Sequence, residues 1–581
     1  MTTPSGSTHN YDGTDMGEGS LGFPTRITSS TEEGRAWFAR GWMHITNFNH
    51  LAAVECFNRC AQVEPDCAMA WWGVALAVSS NYNSPPGISS SFDPIQRALK
   101  IVQTEGTMCS QLEIDLVEAL ATRSSAESKA AFDPAKFSFG NTPELNLCFS
   151  DAMAKLSNKY PDDLDVGALY AESLMVLNPW VLWVKRAENS SEIVPADSKT
   201  LTAKAVLERA MALPGGMEHP IVLHLYCHLM ELSDDPMAAA PAAEVLRTRF
   251  PHAGHLMHMA SHIDIWGGRY KAAFDANIAA IAADKVTLQC TGDDTRGYMG
   301  YRIHNMHMAI WAAMFTGQAD VALKTARQLE DLLHPGDATS GVQYMLHDVI
   351  PIGALFLESY SVVKWHVMIR FGLWDAIIAE PLRESPNLYP TDTATAHYAR
   401  GIAFASQGLV SQAEEEQATY RDLMQTGVEG RKIHNNFIMS DEAPCLFKVG
   451  EAMLAGEIDY RKGNFDTAFE HLRLAVSLDT GLAYDEPWGW MVPSRHALGA
   501  LLLEQDRVEE ATQVFRADLK MYPSNMWGLL GLLQCLEKAG KGGDPEAVGV
   551  KKNYESAASL ANYKPRATCF CAKAAGAKSY T

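Results

Sequence analysis

Nine of the nineteen histidines in this 581-residue chain fall between His219 and His307, at spacings that suit metal ligation. His224, His228 and Glu231 stand at i, i+4 and i+7, which on a helix is one stripe along one face. Two imidazoles one turn apart reach a common ion, and Glu231 can ligate it or orient a ligand from behind. His255, His258 and His262 form a second stripe at i, i+3 and i+7, and Tyr301, His304 and His307 a third with spacing three. A lone histidine on an apolar helix face is usually packed core, and a single HxxxH lacks the Glu of a zincin's HExxH. Three stripes in succession are harder to explain by packing, and they predict a metal centre.

The elements that must position these stripes are helical hairpins. A phrase recurs in which Gly is followed five places later by a small residue: Gly268…Ala273, Gly317…Ala322, Gly408…Ala413 and Gly463…Ala468. Weaker copies are Gly372…Ala376 and Asp506…Ala511, and successive markers lie 36 to 55 residues apart. Gly takes the tight turn between two antiparallel helices, and the small residue lets the second approach the first. The spacing exceeds the 34-residue tetratricopeptide period, so the units carry insertions. Strand-like alternation is absent. The predicted fold is an all-α, tetratricopeptide-like helical-hairpin solenoid, strongly curved around a His-lined interior. Residues 1–22 read as a flexible tail, 23–545 as a single helical-repeat body with its His-rich centre at 219–307, and 546–581 as a C-terminal extension. Asn83–Ser91, Ser124–Pro143 and Glu188–Ser198 read as loops, and Thr480–Met491 as a packed loop.

On this frame each stripe occupies the first helix of its pair. First helices of a right-handed solenoid line its concave wall about 8–10 Å apart, so the three would converge on one interior spot. His224, His228, His258 and His262 form the leading ligand set. His255, His304, His307 and Glu231 are candidates for a second ion or for outer support, and so many histidines would allow a dinuclear site of the dioxygen-binding sort. Imidazole ligation fits copper, iron, zinc or nickel, with Met257 and Met259 leaning toward copper. His44, His50, Asn81 and Asn83 read as packing or turn residues, although the two histidines would close over the groove if the superhelix curls. His347, His366, His397, His434, His471 and His496 are isolated and read as structural.

Composition excludes other classes. With 48 Lys+Arg against 69 Asp+Glu the net charge is −21, and no basic run offers a nucleic-acid or anionic-membrane surface. A hydrophobic fraction of 47% is too high for a disordered chain. The polar N-terminal stretch lacks a signal's basic and apolar regions, and no run approaches the ~18 apolar residues of a spanning helix. Eleven sparse cysteines suggest reduced thiols and a cytoplasmic location, with Cys569 and Cys571 in a tail that reads as flexible. No G-x-S-x-G elbow, P-loop or dinucleotide fingerprint is present. Cys227 beside His228 points about 100° away from it on a helix, so the two would not pair as nucleophile and base.

At the histidine stripes the chain resembles a family of bacterial and fungal tetratricopeptide-repeat-like proteins. Their central region carries H-x3-H-x2-E, then G-H-x2-H-M-x-S-H-I, then Y-x2-H-N-x-H. Here these are His224/His228/Glu231, Gly254-His255…His258-Met259…Ser261-His262-Ile263, and Tyr301…His304-Asn305…His307. The resemblance continues through Gly22-Phe23-Pro24, Phe48-Asn49-His50, Asp66 to Gly73, Ala168 to Glu172, Asn178-Pro179-Trp180, Glu486-Pro487 and Asp518-Leu519 to Trp527. It implies a helical-repeat scaffold with a His-rich interior and a metalloenzyme, without naming a substrate. Ala260 replaces an expected Pro, and Trp266 stands where Arg is common, so no anion-binding role is implied there.

The functional expectation is a metal-dependent enzyme. With few carboxylates among so many histidines, an oxidoreductase acting on a small organic substrate is favoured, with Glu231 and Tyr301 as catalytic candidates. The alternatives are a zinc-type hydrolase using Glu231 as general base and a non-enzymatic scaffold that holds a peptide in its groove. A protein partner on the solenoid surface is compatible with either.

Overall fold

Left-handed backbone between two helices is what the Gly phrases require, and a computed structural model of the chain has it at all six markers. The φ values are 67° at Gly268, 68° at Gly317, 65° at Gly372, 79° at Gly408, 82° at Gly463 and 61° at Asp506. The structure describes residues 26–29, 31–83, 90–131, 143–186, 192–291, 298–334, 357–383, 386, 389–426, 445–482, 485–486 and 489–572. The small residue of the phrase is fully buried at Ala273, Ala322, Ala413, Ala468 and Ala511. In the irregular copy at Gly372, Ala376 is exposed, and Ile377, at the regular spacing, is the buried one.

The described chain is all-α apart from one small ladder. Its helices are α1 (Glu32–Thr46), α2 (His50–Val63), α3 (Ala68–Val78), α4 (Phe92–Val102), α5 (Gln111–Ala121), α6 (Ala126–Ala131), α7 (Pro143–Lys159) and α8 (Leu164–Met175). After the ladder come α9 (Ser198–Ala212), α10 (Pro220–Met230), α11 (Ala240–Arg249), α12 (Gly254–Trp266), α13 (Tyr270–Thr291), α14 (Met299–Phe315) and α15 (Ala319–Leu333). The remainder are α16 (Val363–Arg370), α17 (Trp374–Ala379), α18 (Pro390–Ser406), α19 (Val410–Thr426), α20 (Cys445–Lys462), α21 (Phe465–Thr480), α22 (Ser494–Glu504), α23 (Val508–Met521), α24 (Met526–Lys538) and α25 (Pro545–Ala557). The helices start on recognisable caps: Thr31 accepts from Gly34 N at 2.9 Å, Ser110 and Glu113 form a capping box, and Asp163 accepts from Val166 N at 3.0 Å.

Two compact units emerge, Met1–Trp266 with Ala276–Asn305, and Gly267–Asp275 with Met306–Thr581. Each is built on the same packing device. In the first, Phe57 on α2 lies against Gly41 on α1 and Gly73 on α3, where an added Cβ would come within 2.6 Å of the ring. In the second, Phe515 on α23 lies against Gly499 on α22 and Gly531 on α24 in the same way. The missing side chains let three helices close on one aromatic ring, which is fully buried in both cases.

Four expectations need correction. Residues 193–195, inside the segment read as a loop, form β2, which pairs antiparallel with β1 (Trp183–Lys185) through Val184↔Val194. Strands of three residues are too short to show alternation. Within Ser124–Pro143 the described part includes α6. The tail is not loose up to residue 572: Ala567, Cys571 and Ala572 are buried, and the Phe570 ring fills the space beside Gly372. Arg370, stacked 3.8 Å from the Trp527 ring, holds this segment by donating to Thr568 O at 2.8 Å. Cys569 and Cys571 are joined as a disulfide rather than being free thiols. No described helix is long and apolar enough to cross a membrane.

The Phe57 device predicts that Gly73→Ala destabilises the protein by about 1–3 kcal/mol through overpacking and Phe57→Ala by about 3–5 kcal/mol through a cavity. Urea denaturation measures both, and an unchanged midpoint for either would contradict the assignment.

Candidate metal centre

The helix that opens the centre, α10, begins with Pro220 at its first position, where the missing N–H is no loss and the fixed φ suits a helix. All eleven of its residues are buried, as is α12 from Gly254 to Ile265. These two helices pack on each other in the first unit, so their polar residues have no route to solvent and must find partners inside.

Six of the seven nominated histidines come together in two groups. His224, His228 and His255 each offer a ring nitrogen within 4.8 Å of the others, and so do His258, His262 and His304. The four-histidine set therefore divides, and each pair gains a third member. Helix rise explains the division: His255 and His262 are about 10 Å apart along α12, too far to share an ion. The groups adjoin, with ring centroids 5.5 Å apart for His255–His258 and 5.8 Å for His228–His262. His307 joins neither group; it belongs to the second unit, where its ring stands edge-on to Tyr360 at 5.4 Å.

Hydrogen bonds behind the rings decide which nitrogen faces inward. His224 Nδ1 donates to Thr46 O at 2.8 Å, which leaves Nε2 as the lone-pair nitrogen. His228 Nδ1 donates to one oxygen of Glu231 at 2.9 Å, and His262 Nδ1 donates to the other. His258 Nδ1 lies 2.6 Å from Asn277 Oδ1. Four inward Nε2 atoms follow, and those of His258 and His262 approach to 2.8 Å. His224 Nε2, His228 Nε2 and both nitrogens of His255 have no hydrogen-bond partner although the rings are 0–1% exposed. Burial drives the affinity of His224, His255 and His258 for a proton well below the usual imidazole value, and neighbouring imidazoles add to this. Burial also lowers His228, against the pull of Glu231. Burial alone would raise the Glu231 carboxyl, but the two imidazoles bring it down to about 2. Inward ring nitrogens backed by fixed acceptors are what a cation requires.

Further residues complete the enclosure. Phe48, in the turn between α1 and α2, has φ 53°, and its ring lies 4.3 Å from that of His224 and 5.5 Å from that of His255. A left-handed Phe costs about 1–3 kcal/mol, which the surrounding contacts must over-determine. His50 stacks on the far side of this ring at 5.6 Å, buried and outside both groups. Asn47 Oδ1 accepts from Leu256 N at 3.1 Å, and its Nδ2 donates to Tyr298 Oη at 3.2 Å. Tyr298 in turn donates to Asp284 at 3.1 Å, and Asn305 donates to the other Asp284 oxygen at 2.8 Å. That carboxylate sits where a Cβ on residue 254 would be, so Gly254 is required there. Tyr301 stands edge-on to His255 at 4.6 Å.

The isolated histidines have structural partners. His496 lies between Arg370 Nη1 at 2.8 Å and Asp518 at 3.0 Å, His397 pairs with Glu416, and His366 stands edge-on to Trp490 at 4.9 Å. His347 and His434 lie outside the described residues. Burial pushes the Cys227 thiol up, which suits a packed residue rather than a nucleophile.

The Asn47 buckle makes a prediction. Asn47→Ala strands the buried Leu256 N–H and removes a partner of Tyr298, so stability should fall by about 1–3 kcal/mol. Equal denaturation midpoints for variant and parent would refute that role.

Comparison with known proteins places the repeat character at the N-terminal end. Residues 34–67 match the tetratricopeptide repeat family model, which covers α1, α2 and the turn bearing Phe48. A search of curated proteins finds no match. Among solved structures, the human IFIT1 dimer with m7Gppp-AAAA aligns over 92% of each chain at 12% identity and TM-score 0.30. The Naa15/Naa10 complex bound to HypK-THB aligns over 91% of this chain and 89% of that one at 10% identity and TM-score 0.20. Likenesses this distant say nothing about the centre. The tetratricopeptide-like character expected of the chain is shown by the repeat at 34–67 and the helical architecture.

Proposed function

We propose that the chain is a metal-dependent enzyme, an oxidoreductase acting on a small organic substrate at the histidine-lined centre. The observation that carries this reading is the set of buried imidazoles whose Nδ1 atoms are held from behind while their Nε2 atoms face one another. Unpartnered nitrogens in such a place cost about 1–3 kcal/mol each, a penalty that an ion would remove. A redox-active copper or iron ion there would supply electron transfer between substrate and dioxygen.

The chain's own residues have distinct parts in this proposal. Glu231 acts as a positioning residue, since both oxygens are engaged by imidazole N–H groups. That engagement argues against its use as the general base of a zinc hydrolase, which needs a carboxylate facing the ion's water. Tyr301, edge-on to His255, is the group best placed to donate a hydrogen bond to a substrate. Phe48 keeps water from the first group. The repeat at 34–67 supports an additional protein-binding role for the outer helical surface.

Elemental analysis of the purified protein tests the reading. It predicts stoichiometric copper or iron, lost in His228→Ala and His258→Ala, and a 10- to 100-fold weaker affinity in Glu231→Gln with the fold intact by circular dichroism. Metal retained at the parental level by both histidine variants would contradict it.

A further inference from the structure

Six imidazoles exceed the ligand set usual for one copper or zinc ion, and their arrangement is divided. No ring of the first group is needed to complete the second, because each already offers three nitrogens within 4.8 Å. The groups are also braced as a pair. Glu231, which follows α10 directly, accepts from His228 of the first group and His262 of the second, so its two oxygens hold one ligand of each. Separate supports then fix the rest: Thr46 O behind His224, and Asn277 behind His258. A mononuclear site at the second triplet would leave the first, whose rings are buried, with nothing to bind. In the first, four ring nitrogens have no hydrogen-bond partner; in the second, two Nε2 atoms meet at 2.8 Å.

We propose that the centre is dinuclear and binds two copper ions, one held by His224, His228 and His255 and the other by His258, His262 and His304, with Glu231 as their common outer brace. This rests on the metal reading above and specifies the number and identity of the ions. Copper is the choice because both groups are purely imidazole. Neither contains a thiolate or a carboxylate, and copper holds nitrogen donors most tightly of the first-row divalent ions. Three imidazoles leave each ion open on the side facing its neighbour, where ring centroids of the two groups are 5.5 and 5.8 Å apart.

Native mass spectrometry of the full-length chain after loading with copper and removal of loosely held ions counts the metal. The expected results are two coppers on the parent, one on His255→Ala, one on His304→Gln and none on the double variant. One copper on the parent would overturn the dinuclear assignment while leaving the metal reading in place, and none would overturn both. Copper retained by the double variant would place the ions elsewhere and refute the assignment. Paramagnetic resonance of the oxidised, copper-loaded parent gives a check that needs no substitution. Two cupric ions in adjacent groups broaden each other's signal and produce a half-field transition, whereas an isolated-ion spectrum integrating to two spins would refute the pairing.

Discussion

Both oxygens of Glu231 accept hydrogen bonds from imidazoles, one just before it on α10 and one on α12. A carboxylate this deeply buried would cost several kcal/mol if left uncompensated, so the two N–H groups are what permits it to be there. In return it fixes two tautomers at once, and each fixed tautomer turns a lone pair inward. The approach of α10 to α12, the depth at which both are buried and the meeting of two imidazole groups all depend on this shared acceptor. Glu231 therefore reads as a constraint on ligand orientation, with its chemistry expressed through the rings it holds.

A second constraint comes from the first helical hairpin. Thr46 ends α1 and supplies the carbonyl behind His224, Asn47 ties α12 and Tyr298, and Phe48 places its ring over the first group from a left-handed backbone. Three consecutive residues of one turn thus serve orientation, attachment and ring packing over the first group. The hairpin that carries them is the stretch with tetratricopeptide repeat character, so an ordinary structural unit has been given a turn shaped by the centre it covers.

The hairpin architecture and the two histidine-bearing helices were legible because both depend on short-range periodicity. Gly at a left-handed turn with Ala buried five residues later is a local steric rule, and even Asp506, a poor copy, obeys it. The i, i+4 and i, i+3 stripes likewise follow from helix geometry. What could not be read was how the stripes combine. That His255 sides with α10 and leaves His258 and His262 to His304 depends on how far one helix is shifted along another, which no spacing encodes. Asn47 and Asn277 were hidden for the same reason, since their roles rest on contacts across 19 to more than 200 residues of chain. The β1–β2 ladder is too short for a periodic signal, and the tail after α25 packs through Phe570 against a glycine on another element.

The central claim is that the buried imidazoles bind metal through their inward nitrogens. Anomalous diffraction at the copper absorption edge, from crystals of the copper-loaded protein, tests it most directly. The account predicts a peak within about 2.1 Å of the inward nitrogens of each group, the distance expected of an imidazole–metal bond. Copper found only on surface histidines or cysteines, with both groups vacant in the same crystals, would contradict it.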